Sequence, residues 1–196
     1  MKCTVNGVVT TYVGNHYEVQ GTTTRKYYFA GTQRIAVREI VVDANGEEES
    51  NSLFFFLSDH LGSTAITVSD TGSRTGELRY SAWGETRYEF GATPTNARYT
   101  GQMAEPDLNG LYYYGARWYL PGVGIFTQPD TVVPDPKNPQ ALNRYSYCLN
   151  NPLRYVDPSG TQSEDPFYLI IGGVFTTNES NPDDWRRMIC NLGLRE

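Results

Sequence analysis

The first half of the chain alternates between short runs rich in β-branched and aromatic residues and short segments that contain glycine. Residues 8–13 and 17–19 form the first two runs, and the Gly14-Asn15 pair between them tolerates positive φ. Short β-rich runs bounded by turn residues are typical of antiparallel hairpins. Further runs of the same kind cover residues 22–29, 35–42, 53–57, 65–69 and 76–80. The pattern therefore predicts an all-β fold built from repeated β-hairpins.

Composition favours strands and turns over packed helices. The 196 residues include 19 glycines, 11 prolines and 15 tyrosines, a balance that suits many short strands joined by turns. The net charge of −6 argues against a surface that binds nucleic acid, since neutralising phosphates requires clustered Lys and Arg. We expect no nucleic-acid partner for this module.

The three cysteines, Cys3, Cys148 and Cys190, are far apart and odd in number. The sequence contains no CxxC motif and no Cys/His spacing suited to a metal ion. Neither a disulfide framework nor a zinc site is supported. We predict buried free thiols, with no metal and no other cofactor.

Two segments bear on membrane insertion. Residues 1–7 hold no apolar run of the kind found in a conventional signal peptide. The longest apolar stretch, residues 167–175, is interrupted by two glycines and is too short to span a bilayer. We therefore expect a soluble chain without a membrane span.

Residues 98–160 contain a series of aromatic, glycine and carboxylate motifs in fixed order. The series reads GLYYYGARWY at residues 110–119, GIFTQPD at 124–130 and NNPLRYVDPSG at 150–160. It closely resembles the Rhs-repeat-associated core of the Rhs/YD-repeat proteins. The resemblance implies that this stretch is a plug that closes one end of a β-shell. In many family members the core also cuts the chain just beyond itself.

The hairpin region resembles the YD repeat, in which a Tyr begins a strand, a Gly forms the turn and an Arg starts the next strand. Residues 28–34 (YFAGTQR) are the best copy, with Ala30 where the family usually has Asp. Residues 56–63 (FLSDHLGS) match the family's recurring Asp-His-Leu-Gly segment. We therefore interpret His60 as a turn residue rather than a base or a metal ligand. The resemblance implies three parts: YD-type hairpins over residues 1–97, the core over 98–160, and a variable carboxyl-terminal tail over 161–196.

The tail differs in character from the rest of the chain. Residues 167–175 are predicted to form one strand or a tight pair of strands. Asn181 is the N-cap of a predicted helix, with Pro182 at its first position. We expect this short α/β tail to be too small for an independent catalytic domain.

Asp130 and Asp157 are each next to a proline in a turn-prone segment, where Asp commonly accepts backbone N–H bonds. Self-cleaving family members require two Asps at these motifs and an Arg thirteen residues before the first. Arg117 has that spacing to Asp130, and Asp157 opens the Asp-Pro-Ser-Gly motif. The resemblance therefore assigns self-cleavage to Arg117, Asp130 and Asp157. The proline-rich segment 131–142 between the two Asps is longer than usual, which is tolerable for a surface loop.

The same resemblance predicts the chemistry of the cut. Two close carboxyls do not ionise together readily, so one is expected to act as an acid while the other activates a water. Arg117 is expected either to keep one carboxylate ionised or to stabilise the oxyanion. The scissile region is Gly160-Thr161-Gln162, with the cut near the Thr161-Gln162 bond. The family usually has Leu at position 161, and a polar Thr weakens the fit to an apolar pocket.

Together these features predict the shell-closing, carboxyl-terminal module of a toxin-like Rhs/YD-repeat protein. Such a module encloses a carboxyl-terminal cargo and releases it by a single aspartate-dependent cut, as an autoprotease. The implied partners are the upstream YD-repeat shell, the chain's own tail or cargo, and an immunity protein. The implied location is cytoplasmic before delivery, then secreted or at the cell surface by a non-classical route.

Three alternatives stay open. The chain is a non-cleaving structural or adhesive module, as the related YD shells of animal teneurins are. It is a truncated remnant without active cargo. The third alternative, a small enzyme within the tail, ranks last because residues 161–196 contain no His, no nucleophile–base pair and no metal cluster.

Overall fold

A computed structural model describes residues 2–5, 7–105, 108–131, 137, 139–161 and 163. These residues form two antiparallel β-sheets joined by turns and short 3-10 segments, and no α-helix occurs among them. The first sheet consists of β1 (Lys2–Val5), β2 (Val8–Val13), β3 (Tyr17–Gln20), β4 (Thr23–Ala30), β5 (Gln33–Val42), β6 (Glu48–Ser58), β7 (Thr64–Ser69), β8 (Arg74–Tyr80) and β9 (Thr86–Gly91). The second consists of β10 (Met103–Glu105), β11 (Leu111–Tyr113), β12 (Trp118–Leu120) and β13 (Ile125–Phe126). The 3-10 segments are Tyr99–Gly101, Pro139–Leu142 and Cys148–Asn150.

Each strand of the first sheet pairs with the next strand along the chain, so β1 to β9 form an antiparallel meander. This order confirms the predicted all-β fold of consecutive hairpins. Gly14, in the turn between β2 and β3, has a φ of +57°. A residue with a Cβ would be strained there by roughly 1–2 kcal/mol.

The long strands β4, β5 and β6 bury one face of the first sheet. Tyr27 on β4 is paired with Val37 on β5, and both are buried together with Phe56 on β6. Tyr28 and Phe55 face the other way and are 44% and 40% exposed. Because successive strand residues point to opposite faces, the mixed sequence of these strands still supplies one apolar face. Each fully buried side chain of this size contributes roughly 1.5–3 kcal/mol.

Aromatic side chains form a second core around β11, β12 and β13. Tyr112 and Tyr114 are buried, whereas Tyr113 between them is 38% exposed. The run therefore places alternate aromatic side chains on opposite faces, as residues of a strand do. Tyr114 packs edge-on against Tyr119 and Phe126, the geometry that aromatic pairs prefer.

Tyrosine hydroxyls attach the second sheet to the turn between β8 and β9. Tyr119 donates to the Trp83 carbonyl at 2.7 Å, and Tyr112 donates to the Gly84 carbonyl at 3.1 Å. A buried hydroxyl without a partner would cost about 1–3 kcal/mol, so these bonds fix the orientation of the rings. They hold the β11–β12 hairpin, which carries Arg117, against the end of the meander.

His60 lies in the turn between β6 and β7. Asp59 accepts backbone N–H bonds from Leu61 and Ser63 in this turn, at 2.9 and 2.8 Å. The His60 ring is exposed, and its Nε2 lies 3.2 Å from the carbonyl oxygen of Leu153. The interpretation of His60 as a turn residue is confirmed.

Cys148 is a buried free thiol, as predicted. The side chain of Cys3, residue Gln162 and the predicted tail elements over residues 164–196 lie outside the described residues, as do residues 132–136 and 138 of the long loop. Within the described part of the chain, no helix is long and apolar enough to cross a membrane.

Candidate functional site

Arg117, Asp130 and Asp157 meet in one buried cluster. Arg117 Nη2 lies 2.9 Å from Asp130 Oδ2 and 3.3 Å from Asp157 Oδ2. The three side chains are 6%, 8% and 2% exposed, so the cluster is shielded from bulk water. The residues that the sequence motifs singled out are therefore neighbours in space, although forty residues separate Arg117 from Asp157 in the chain.

The β11–β12 hairpin positions Arg117. The backbone carbonyl of Arg117 accepts the N–H of Tyr114 at 3.0 Å, and this bond fixes the bend just before β12. Its guanidinium carbon lies 3.6 Å from the centre of the Phe126 ring, a cation–π contact that is strong when desolvated. The aromatic core thus packs directly against the charged group.

The guanidinium of Arg117 uses all three of its nitrogens. Nη2 contacts the two carboxylates, Nη1 donates to the Arg144 carbonyl at 3.0 Å, and Nε donates to the Gly160 carbonyl. Burial lowers the pKa of Arg117 from its ordinary value, and the charges of Asp130 and Asp157 oppose that shift. An arginine keeps its proton under such conditions, so the cluster contains a fixed positive charge.

Asp130 follows β13 and is held by Arg144. The Asp130 backbone N–H donates to the Arg144 carbonyl at 2.8 Å, and Arg144 Nε donates to the Asp130 carbonyl at 2.6 Å. Sequence reasoning missed Arg144. Arg144 lies fourteen residues beyond Asp130, and no motif or spacing in the sequence points to their contact.

Asp157 is the first residue of a turn, and its side chain stabilises that turn. Its Oδ1 accepts the backbone N–H groups of Gly160 and Thr161 at 2.8 and 3.0 Å. Its other oxygen faces Arg117. The structural explanation for an Asp beside a proline therefore holds for Asp157, and the same side chain also belongs to the charged cluster.

Gly160 is required at its position. Its φ is +75°, and a Cβ there would lie 2.8 Å from the carbonyl oxygen of Tyr114. The close approach brings the Gly160 carbonyl to Arg117, while Asp157 holds the N–H of Thr161 on the other side of the same peptide bond. Two of the three residues of the predicted scissile region are thus at the cluster. The third, Gln162, lies outside the described residues.

A small cavity of about 30 Å³ lies beside the cluster. Its walls include Arg117, both aspartates, Thr161 and Ser163. A polar cavity needs roughly 10–15 Å³ to hold a water molecule that hydrogen-bonds to its walls. One water therefore fits between the carboxyl groups and the residues that flank position 162.

In the part of the chain that the structure describes, metal-ligating side chains form no second site. Among the described residues, no group of three His, Cys, Asp or Glu side chains could hold a metal ion. The chemistry available here is proton transfer by two carboxyls next to a fixed guanidinium.

Comparison with known proteins places the chain in a family. The family described as "Teneurin YD-shell" matches residues 41–153, more than half of the chain, a range that includes Arg117 and Asp130. Salivary gland surface protein 1 of Aedes aegypti is 30% identical over 147 residues, which are 69% of this chain and 4% of that protein. Toxin subunit YenC2 of Yersinia entomophaga is 43% identical over 111 residues, or 50% of this chain and 11% of that protein.

A further relative is the tRNA nuclease WapA of Bacillus subtilis (strain 168), 37% identical over 102 residues, or 48% of this chain and 4% of WapA. The chain thus spans a small fraction of the length of the curated relatives it matches. Among solved structures, the crystal structure of TcdB2-TccC3-TEV aligns with a TM-score of 0.64 at 23% identity, covering 81% of this chain and 8% of that one. This likeness concerns the fold. By its family match, its hairpin meander and these relatives, the chain belongs to the teneurin YD-shell family and is an Rhs/YD-shell protein.

Proposed function

We propose that this chain is the shell-closing module of an Rhs/YD-repeat toxin-like protein and that it releases a carboxyl-terminal cargo by one aspartate-dependent cut near residue 161. Arg117 carries the proposal, because it contacts both aspartates and the carbonyl of Gly160 at the predicted junction. The contact with the Gly160 carbonyl links both ion pairs to the turn that precedes the predicted cut.

Hydrolysis at Thr161-Gln162 uses the cluster as follows. A water in the small cavity loses a proton to one of the two aspartates while its oxygen attacks the carbonyl carbon of Thr161. The other aspartate gives its proton to the nitrogen of Gln162 as the carbon–nitrogen bond breaks. Arg117 balances the negative charge that develops during these transfers.

The substrate is part of the same chain, which lowers the demands on the site. The turn that follows Asp157 delivers the junction to the carboxyls, so the reaction is intramolecular and has a high effective concentration. One turnover is enough to separate the shell from its cargo.

Under this proposal the 1–97 hairpins and the 98–160 core act as one closing unit, Thr161 becomes its new carboxyl terminus, and residue 162 begins the released part. Toxin subunit YenC2 and toxin protein Tse5 of Pseudomonas aeruginosa are both relatives, which favours a toxin-like context. The partners are then upstream shell segments, the enclosed cargo and an immunity protein that neutralises it. Delivery moves the protein from the cytoplasm to the cell exterior by a non-classical route.

Intact mass under denaturing conditions tests the cut. The native sequence is expected to give a break near residue 161, whereas Asp130→Asn and Asp157→Asn stay as one 22.0 kDa species. Asp157→Asn keeps an oxygen that can accept the Gly160 and Thr161 N–H bonds. If this variant stays uncut, the cause is therefore the loss of the ionisable carboxyl group rather than the loss of the turn. The matched control is Asp70→Asn at an exposed turn, which is expected to cut normally.

A non-cleaving surface module is the second candidate. The Aedes aegypti relative named as a surface protein favours it. A single uncut species from the native sequence, in a sample shown to be folded by near-ultraviolet circular dichroism, would support this candidate and contradict self-cleavage.

A further inference from the structure

We infer that Gln102 is a positioning residue for self-cleavage, because its side chain holds the turn of residues 157–160 that delivers Thr161 to the carboxyls. This inference rests on the self-cleavage proposed above and adds a residue to it. Gln102 acts through the turn, since its amide donates to the carbonyl of Pro158.

The turn is bound along its backbone. Three successive carbonyl groups accept hydrogen bonds from different parts of the chain: Pro158 from Gln102 Nε2 at 3.1 Å, Ser159 from the Ala116 N–H at 3.1 Å, and Gly160 from Arg117 Nε. Because all three acceptors belong to the main chain, these contacts do not depend on the side chain at position 161.

Gln102 supplies the contact at the start of the turn. Ala116 and Arg117 both belong to the β11–β12 hairpin, whereas Gln102 lies 56 residues from Pro158 in the chain. Pro158 directly follows Asp157, so the bond from Gln102 also fixes the backbone that carries the Asp157 carboxyl. Without it, the turn is held from the hairpin alone.

Gln102 is itself attached to a restrained segment. Its N–H donates to the Tyr99 carbonyl at 3.0 Å, across a 3-10 turn in which Thr100 has a φ of +49°. The Thr100 N–H donates to Ser63 Oγ at 3.0 Å, and Thr100 Oγ1 lies 2.8 Å from Tyr114 Oη. A positive φ at a non-glycine residue is costly and persists where the surroundings enforce it. Both the meander and the aromatic core therefore hold the backbone from which the Gln102 side chain extends.

The bond lies beside a cavity of about 530 Å³. The cavity walls include Gln102, Pro158 and Gln33, and the titratable side chains on these walls are Arg34 and Asp157. The hydrogen bond is at an exposed position, so water can replace it and its loss costs little stability. Orientation is more sensitive, because a small displacement of the reacting groups lowers the rate of an intramolecular reaction. Loss of the bond should slow the cut without unfolding the protein.

The test isolates the uncut 22.0 kDa chain in urea, dilutes it into buffers of different pH and follows its disappearance by intact mass. Gln102→Met keeps the length of the side chain but has no donor, so the cut should slow about fivefold at every pH. Gln102→Glu should slow it at least as much near about pH 7, where a carboxylate has no proton to donate. Below about pH 4.3 the protonated carboxyl can donate to Pro158, so this deficit relative to the native chain should shrink.

Gln33→Glu is the matched control. Among the described residues, Gln102 is the side chain that donates to the Pro158 carbonyl, so Gln33→Glu adds a charge to the same cavity and leaves that bond intact. Its rate should match that of the native chain at each pH. Cleavage-dead Asp130→Asn versions of the three variants should melt at the temperature of Asp130→Asn alone.

A native rate for Gln102→Met would overturn the inference. So would a Gln102→Glu deficit that stays constant as pH falls, a deficit that Gln33→Glu shares, or a lower melting temperature that accounts for the slower cut. Asp130→Asn separates the two levels of the argument. If the native chain is cut and Asp130→Asn is not, self-cleavage stands whatever the Gln102 variants do. If the native chain stays whole, or if Asp130→Asn is cut like it, the proposed function fails and the positioning role fails with it.

Discussion

Arg117 Nη2 lies 2.9 Å from Asp130 Oδ2, an ion pair between two side chains that are 6% and 8% exposed. Burying both partners costs desolvation free energy, which a single contact rarely repays. The same guanidinium offsets this desolvation cost through further contacts with Asp157, with two carbonyl oxygens and with the Phe126 ring. A planar group with five donors can serve that many partners, and an ammonium cannot.

Arg117→Lys should therefore be severe despite keeping the charge. A lysine cannot reach both aspartates and two carbonyl groups at once, so at least one buried acceptor loses its partner. We expect the free energy of unfolding to fall by about 1–3 kcal/mol and the cut to be lost. Urea unfolding of the uncut Asp130→Asn background measures the first effect, and intact mass of the otherwise native chain measures the second. Arg87→Lys, at an exposed position on β9, is the control, and equal effects of the two changes would contradict this role of Arg117.

Gly160→Ala tests the turn that delivers the junction. The residue has a φ of +75°, and a Cβ would lie 2.8 Å from the Tyr114 carbonyl oxygen. We expect a loss of at least about 1–2 kcal/mol in stability from the backbone conformation alone. The Gly160 carbonyl should also move away from Arg117, so the cut slows.

Gly122→Ala is the matched control for that change. A Cβ at Gly122 would meet nothing within 4 Å, and its φ is outside the left-handed region. Its melting temperature and its cleavage should match the native chain. A Gly160→Ala protein as stable and as fast as Gly122→Ala would show that the turn is not needed.

Sequence reasoning predicted the parts of this molecule that depend on local pattern. The hairpin meander follows from short β-rich runs and turn residues. The meeting of Arg117 with two aspartates was anticipated from family motifs, because fixed spacing in the motif reflects a fixed geometry. Their chemical roles remain proposals.

Other parts could not be predicted, since they depend on how distant loops return. Arg144 is fourteen residues beyond Asp130, whose carbonyl it contacts, and no motif or spacing links the two residues. The bond between Ser159 and Thr161 is local, but two hydroxyls at this spacing are too common to be informative. The left-handed turn at Cys148 is set by tertiary packing, because Cys and Leu have no intrinsic preference for positive φ.

The buried phenols and thiol predict a loss of stability at alkaline pH. Burial raises the pKa of Tyr114 and Tyr147 well above 10.0 and that of Cys148 to about 12. In the unfolded chain these groups lose their protons nearer to about 10 for Tyr and about 8.5 for Cys. The folded state therefore binds more protons than the unfolded state across this interval, and its stability falls as pH rises.

Urea unfolding at a series of pH values measures this effect. The contribution of these groups to the free energy of unfolding should be at its maximum below about pH 8. It should fall above about pH 9, by up to about 1.4 kcal/mol per pH unit for each group. Tyr147→Phe removes one of the groups and should make the decline less steep, at the cost of the hydroxyl bond with Tyr114. A free energy of unfolding that stays constant from about pH 8 to about pH 11 would contradict the role of these buried groups.

Arg144→Ala tests whether Arg144 holds Asp130 in position, because the change leaves the Asp130 carboxyl group itself intact. The change removes the 2.6 Å bond from Arg144 Nε to the Asp130 carbonyl, while the backbone bond between the two residues remains. Because the Arg144 side chain is largely exposed, the loss of stability should stay below about 1.5 kcal/mol. Asp130 gains freedom, so the cut should slow by about tenfold, as small displacements of a catalytic group are costly. Arg154→Ala removes an equal charge from another exposed position, where the guanidinium stacks on Tyr155, and should leave the rate unchanged. If both changes slow the cut equally, the effect comes from net charge and Arg144 has no role in holding Asp130.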